Sequence, residues 1–399
     1  MKDFLSGAGV HVLDATTILD CVQKKSISDL GAAERVYVLH DPSDIRKPQS
    51  QQLAYIGKVQ GLKKEVVNGY RSINCVAVEP HSQSVNLLCH AIYSQNHPNY
   101  VSQEALSDLS TLTEKQRELV EKGEHINGMI LCTKQIKESH TLLKKEKPDR
   151  KLTHILDREF DAEAIFELID DLEDELVVRL KLSRVSNQGQ EKCTPKGKIS
   201  KRLHYPKLVD KKFAHQSNYT IARLTIKNKT YHELTCLLEW EAIKIGKKSY
   251  TAVRITLKQE DKPIFPHPML LLTNRTIENG EDAKNVYHAY IMRFKIEIVF
   301  KFLKQNLGWE TFQVRDFASI KNLLALAFFL VGYFKELQET LQKHPLAQFI
   351  CKIAHSKGKV TVFFLLKGLE KIAHFKEVLN YMKQENISHE QIIEILDTR

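Results

Sequence analysis

Residues 281–306, EDAKNVYHAYIMRFKIEIVFKFLKQN, decide how the chain is read. At about 3.6 residues per turn, Tyr290, Arg293, Glu297, Lys301 and Lys304 fall within one narrow arc, because steps of three and four residues return to one helix face. The rest of the circumference carries Ile291, Met292, Phe294, Ile296, Ile298, Val299, Phe300, Phe302 and Leu303. A helix apolar nearly all round is a buried one. A single carboxylate flanked by cations on its one polar stripe suits an acid that holds a metal while its neighbours hold phosphate oxygens. The plainer alternative is a Glu297–Lys301 pair at i,i+4 on a surface helix.

Outside this stretch, composition narrows the class. With 399 residues, 42% hydrophobic and 27% charged, the chain can bury a sizeable core and reads as globular, with more than one module. No signal pattern is visible, and the most apolar run, residues 323–334, reads as a buried helix too short to span a bilayer. Cysteines 21, 75, 89, 132, 193, 236 and 351 form no C-x-x-C pair, which argues for a reducing compartment and against a zinc or disulfide framework. No Gly-rich phosphate loop appears, which argues against nucleotide-driven chemistry. The net charge is +10. Residues 183–265 hold 18 Lys/Arg against 7 Asp/Glu and so carry the whole excess. A block this one-sided suggests a polyanion, with nucleic acid the first candidate.

Along the chain, Gly9–Leu19 reads as a strand emerging at Asp14, and Ser26–Gln51 as polar loop and short helix. Tyr70–Glu79 and Ser84–Tyr93 read as a hairpin. Gln103–Lys145 is helical by composition, with a loop near Gly123–Asn127. A short strand, Leu152–Leu156, ends at Asp157, followed by a helix at Ala162–Ile169 and a strand at Glu175–Leu182. Short β-like runs at Tyr219–Ile226, Glu233–Ile243 and Tyr250–Leu257 fill the basic block, which reads as an inserted module. Met269–Thr273 returns to a core strand. Phe317–Gln342, Val360–His374 and Glu377–Asp397 read as a helical tail. The order predicts an α/β fold with a mixed sheet, two acids at strand ends and a third on a helix packed across them.

Tyr290-x2-Arg293-x3-Glu297-x6-Lys304 resembles the signature of the IS4 family of bacterial DDE transposases, with Phe294 where many members carry Trp. His154-Ile155-Leu156-Asp157-Arg158-Glu159-Phe160 resembles that family's strand followed by Asp-Arg and a short helix. Leu13-Asp14-Ala15-Thr16-Thr17 resembles its Asp-x-Thr at the end of the first core strand, with Asp20 and Asp29 as nearby rivals. The resemblance runs from about Val10 to Phe334. It implies a ribonuclease H-like mixed sheet with a β-rich insertion between the second Asp and the Glu, and a helical C-terminal tail. The expected division is 1–182 and 267–315 for the catalytic core, 183–266 for the insertion and 316–399 for the tail.

The activity implied is cleavage of transposon ends and strand transfer into target DNA, with Asp14, Asp157 and Glu297 as catalytic residues and metal ligands. Two Mg²⁺ or Mn²⁺ ions about 3.5–4 Å apart would stabilise the attacking and leaving oxygens. Tyr290, Arg293 and Lys304 match positions that contact phosphates in the family, and Lys301 and Arg158 are plausible helpers. The implied partner is double-stranded DNA, bound by a homodimer in a bacterial cytoplasm. Only 13 residues precede Asp14, where family members carry a helical end-binding segment. An inactive or regulatory remnant is therefore one alternative, and a ribonuclease H-like nuclease another.

Overall fold

The computed structural model describes residues 14–80, 85–185, 206–226, 229–356, 360–388 and 390. At its centre are three parallel strands, β1 (Arg35–Arg46), β5 (Lys151–Leu156) and β6 (Glu175–Arg179). Each carries a short apolar stretch, as strands covered on both faces require, and Val36, Val38, Leu39, Ile155, Leu156, Leu176, Val177 and Val178 are fully buried. β3 (Val66–Val78) runs antiparallel to β1, and β2 (Gly57–Gln60) and β4 (Asn86–Tyr93) pair with β3. On the other flank β11 (Met269–Thr273) is antiparallel to β6. β9 (Lys248–Gln259), β8 (Lys229–Ile245) and β7 (His215–Ile226) extend the sheet beyond it, and the two-residue β10 (Lys262–Pro263) pairs with β9. This mixed sheet is compatible with a ribonuclease H-like fold.

Helices cover both faces. α4 (Gly128–Glu146) and α5 (Glu163–Asp171) place Cys132, Ile136, Ile165, Phe166 and Ile169 against Leu156, Leu176 and Val178. On the opposite face α6 (Gly280–Ile291), α7 (Phe294–Asn306) and α8 (Phe317–Leu341) bury Val286, Tyr290, Ile296, Val299, Phe300, Leu303 and Phe328 against Leu39, Ile155 and Val177. Residues two apart on a strand share a face. Asp41, two beyond Leu39, and Asp157, two beyond Ile155, are therefore aimed at the α6–α7 layer.

From Ala15 to Leu30 the chain is a helix, α1, and not the expected end of a strand: Asp14 is its N-cap and accepts a 2.8 Å bond from the Thr17 backbone N–H. A short acceptor before a run of helix formers is a cap signal, and here it outweighs the apolar character of the run. The first core strand is β1, which lies inside the segment expected to be loop. The helix expected from 281 to 306 is two. Around Met292 and Arg293 the backbone donates to the third residue back, from Met292 to Ala289, Arg293 to Tyr290, Lys295 to Met292 and Ile296 to Arg293, and this tighter winding breaks the α-helical ladder. Nor is α7 buried all round, since Phe294 and Ile298 are exposed.

In the tail, α9 (Pro345–Ile353) and α10 (Val362–Gln384) follow α8. α10 runs unbroken through His374–Glu377, where separate helices were expected, and residues 389 and 391–397 of the last expected helix lie outside the described residues. Within α8, Phe317–Phe334 is long and apolar enough to cross a membrane by length and composition. In this structure that stretch buries Ile320, Leu324 and Phe328 in the main core.

Candidate active site

The β1–β5 pairing ends with His40 opposite Leu156, so Asp41, still paired to β3 through Asn74, and Asp157, just past the end of β5, stand at the same level where that ladder stops. Adjacent strands lie about 4.8 Å apart, which brings two carboxylates from distant sequence to one spot. Pro42 follows at a position where β1 has no β5 residue opposite it, so an absent N–H is tolerated there. α7 crosses this edge and supplies Glu297.

Arg293 ties the acids together. Its Nη1 donates to Asp41 Oδ1 at 2.7 Å and its Nη2 to Glu297 Oε1 at 2.7 Å. The break between α6 and α7 turns this residue inward, and it is only 6% exposed. One turn earlier, the buried Tyr290 donates its hydroxyl to Asp157 Oδ1 at 3.1 Å. A cavity of about 290 Å³ opens over these groups, lined by Asp41, Pro42, Ser43, Asp44, Arg46, Arg71, Asp157, Glu159, Arg293, Glu297 and Lys304. Its wall is almost wholly polar and carries both signs of charge.

The rim cations are held in place. Arg71 Nη2 donates to both oxygens of Glu159, at 2.8 and 2.6 Å. Lys304 Nζ donates to the Asp44 carbonyl at 2.6 Å and lies 3.5 Å from Glu310, which also sits 3.4 Å from Arg46 Nη1. Burial pushes the Asp41 carboxyl up to about 7, helped by the charges of Asp157 and Glu297 and opposed by Arg293. Burial also raises the Tyr290 phenol to about 12 and lowers the Lys304 ammonium below its ordinary range.

The structure brings Asp157, Glu297, Tyr290, Arg293 and Lys304 together. It leaves three expected residues elsewhere. Asp14 is exposed at the start of α1, and Arg158 and Lys301 are exposed and do not line the cavity. The rivals Asp20 and Asp29 lie within α1. Asp41, together with Arg46 and Arg71 on the wall, is not among the site residues expected from sequence. The available signal was the β-branched run Val36-Tyr37-Val38-Leu39 ending at an aspartate, masked by the turn-like Pro42-Ser43-Asp44 behind it.

Among the described residues, no three His, Cys, Asp or Glu side chains stand close enough to hold an ion by themselves. The guanidinium of Arg293 occupies the space between two of the acids. The donor set nevertheless fits a hard divalent cation, which takes carboxylate oxygens and keeps several waters. Burial first, and then the charges of Asp157 and Glu297, keep the Asp41 carboxyl raised against the opposing charge of Arg293.

A mixed sheet with two aspartates at neighbouring parallel strands, and a glutamate on a helix laid across them, defines an α/β protein with an acid-lined polar site. Residues 126–331, more than half of the chain, match the family described as transposase DDE domain. The chain belongs to that family. The matched span includes Asp157 and Glu297 and begins downstream of Asp41. No curated protein matches the chain.

Proposed function

We propose that this chain is an IS4-type transposase that cuts the ends of a mobile DNA element and joins the freed 3′ hydroxyl to target DNA, with Asp41, Asp157 and Glu297 as its three acids. The observation that carries this reading is the single guanidinium joining Asp41 to Glu297 beside the Tyr290–Asp157 bond. Asp41 thus takes the role that the sequence assigned to Asp14. Two Mg²⁺ or Mn²⁺ ions held by these acids would activate the attacking oxygen and stabilise the leaving one. The chain's own residues do the rest. Arg46, Arg71 and Lys304 on the wall grip phosphate oxygens on either side of the scissile bond. Tyr290 keeps the Asp157 carboxylate oriented.

The partner is double-stranded DNA, with one protomer of a homodimer at each element end, in a bacterial cytoplasm. The basic segment 183–266 serves as a DNA-contacting insertion between the core segments 1–182 and 267–315, and 316–399 as the helical tail. Mg²⁺-dependent nicking of supercoiled plasmid tests the proposal. Asp41→Asn, Asp157→Asn and Glu297→Gln should each abolish it. Joining of a pre-cut donor end to a target plasmid then separates a transposase from a nuclease, which would hydrolyse without joining. Nicking that survives all three substitutions would sink the reading.

A further inference from the structure

The guanidinium of Arg293 satisfies the two acids in this structure, using the oxygens that a divalent ion would need. A divalent ion on Asp41 and Glu297 would approach their oxygens to about 2.1 Å and stand beside the guanidinium, so the two cations compete for these carboxylates. Lys304, the other motif cation on the cavity wall, is likewise engaged with protein oxygens, those of Asp44 and Glu310. In this structure Arg293 and Lys304, both suited to phosphate, are bound to the protein's own oxygens.

Arg293 also sits where the backbone can let it go. It occupies the junction of α6 and α7, where three-residue turns replace the α-helical ladder, a common mark of a hinge. Its Nε has no hydrogen-bond partner, so its hydrogen bonds run only through its two terminal nitrogens, with the ring centroids of Tyr290 and Phe294 5.8 and 5.3 Å from the guanidinium carbon. The cavity lies directly beside it, and Arg293 is part of the cavity wall.

We propose that Arg293 is a resident counter-ion, displaced from Asp41 and Glu297 when divalent cations load, and that the freed guanidinium then grips a DNA phosphate. This rests on the three-acid reading above and adds a regulatory consequence: metal and DNA favour each other's binding through one side chain. The linkage is reciprocal by thermodynamic necessity. In the absence of DNA, Arg293 competes with the metal. With DNA present, a phosphate draws it away and the competition ends.

Mn²⁺ binding followed by electron paramagnetic resonance at pH 8 tests this without any turnover. For the wild type, a short duplex of arbitrary sequence should tighten Mn²⁺ binding about tenfold. Arg293→Gln should bind Mn²⁺ about tenfold more tightly than wild type without DNA, and the duplex should add nothing further. Arg293→Lys, which keeps the charge and loses the two-pronged grip, should fall between them. If Arg293→Gln does not fold, as judged by circular dichroism, Arg293→Lys carries the test alone. Equal or weaker Mn²⁺ binding by a folded variant overturns the counter-ion role. Glu297→Gln distinguishes the two levels of the argument. If it binds Mn²⁺ as the wild type does, the three-acid site itself is wrong; if it loses the ion while the Arg293 variants show no gain, only the counter-ion role fails.

Discussion

Asp41 and Arg293 are 252 residues apart in the chain, yet a 2.7 Å hydrogen bond joins Oδ1 of one to Nη1 of the other inside the protein. The bond pins the first strand of the sheet to the junction of two helices, and through Glu297 it fixes where the third acid stands. Removing the Asp41 carboxyl leaves Arg293 bonded to Glu297 but with one buried N–H donor unpaired, which costs about 1–3 kcal/mol. Asp41→Ala should therefore lose both DNA cleavage and some folding stability, whereas Asp41→Asn should lose cleavage with a smaller drop in melting temperature. Asp14→Ala should keep full cleavage and lose only a helix cap. Plasmid nicking and thermal melts on the three variants check this.

Asp41 also sets a pH dependence. Its carboxyl is pushed up to about 7 in the folded protein, against about 3.9 in an unfolded chain. The folded state therefore holds a proton that the unfolded state has released, so this contribution to stability is complete below about pH 4 and is lost as pH rises through 7. In metal-free buffer, the wild type should lose a few kcal/mol relative to Asp41→Asn between about pH 4 and 8, read from urea midpoints. A wild-type-minus-Asn difference that is flat with pH would contradict the assignment.

The opposite slope belongs to His90. It lies on β4 against Phe328 and Trp309, with ring centroids 4.5 and 5.5 Å away, and its Nδ1 is 2.8 Å from Asn74 Oδ1. Burial holds its pKa down at about 3. The ring must charge on unfolding below about pH 6.5, so its contribution is present above that value and drains away as pH falls toward 3. His90→Gln should start less stable at pH 7.5, having lost ring packing, and then lose less between pH 6.5 and 4 than the wild type. Urea midpoints across that range give the comparison.

Much of the fold was legible in the chain, for a physical reason. The segments 151–156, 175–179 and 269–273 are apolar runs bounded by polar or turn residues, and such runs announce buried strands whatever they pair with. Asp157 and the Tyr290–Lys304 stripe were legible because their spacing is local. Asp41 was not, because what makes it special is register: His40 faces Leu156 on a strand more than a hundred residues away. Pro42, Ser43 and Asp44 carried a turn signal, and only the missing β5 partner beyond His40 makes a proline acceptable there. The break at Met292–Arg293 was equally hidden, since no Pro or Gly marks it.

A glycine beside the site offers a purely structural test. Gly69 on β3 faces Arg46 of β1, and a Cβ there would lie 2.3 Å from the Ile45 carbonyl oxygen and 2.6 Å from Val59 Cγ2. Neither a strand carbonyl nor a packed valine can retreat far. Gly69→Ala should cost about 1–3 kcal/mol and, by shifting the end of β1, lower cleavage more than the stability loss explains. Cleavage measured well below the melting temperature separates the two effects.

The cations sort by geometry, and the sorting predicts DNA affinity. Lys304, Arg46 and Arg71 line the cavity, while Lys301 and Arg158 are exposed outside it. A cation that meets a phosphate contributes about one unit to the salt slope of binding, because its contact releases condensed counter-ions. Lys304→Met and Arg46→Met should each weaken duplex binding and flatten the plot of log affinity against log salt by about one unit. Lys301→Met and Arg158→Met should leave the slope near the wild-type value. Arg71, like Lys304 and Arg46, is engaged with protein oxygens, and its bond to both oxygens of Glu159 must open before it can reach a phosphate. Glu159→Gln should accordingly strengthen binding at low salt, and Arg71→Met should cancel that gain. Fluorescence anisotropy over a salt series measures all five variants and the double variant on one duplex. If Lys301→Met lowers the slope as much as Lys304→Met, DNA approaches along the exposed side of α7 and not through the cavity.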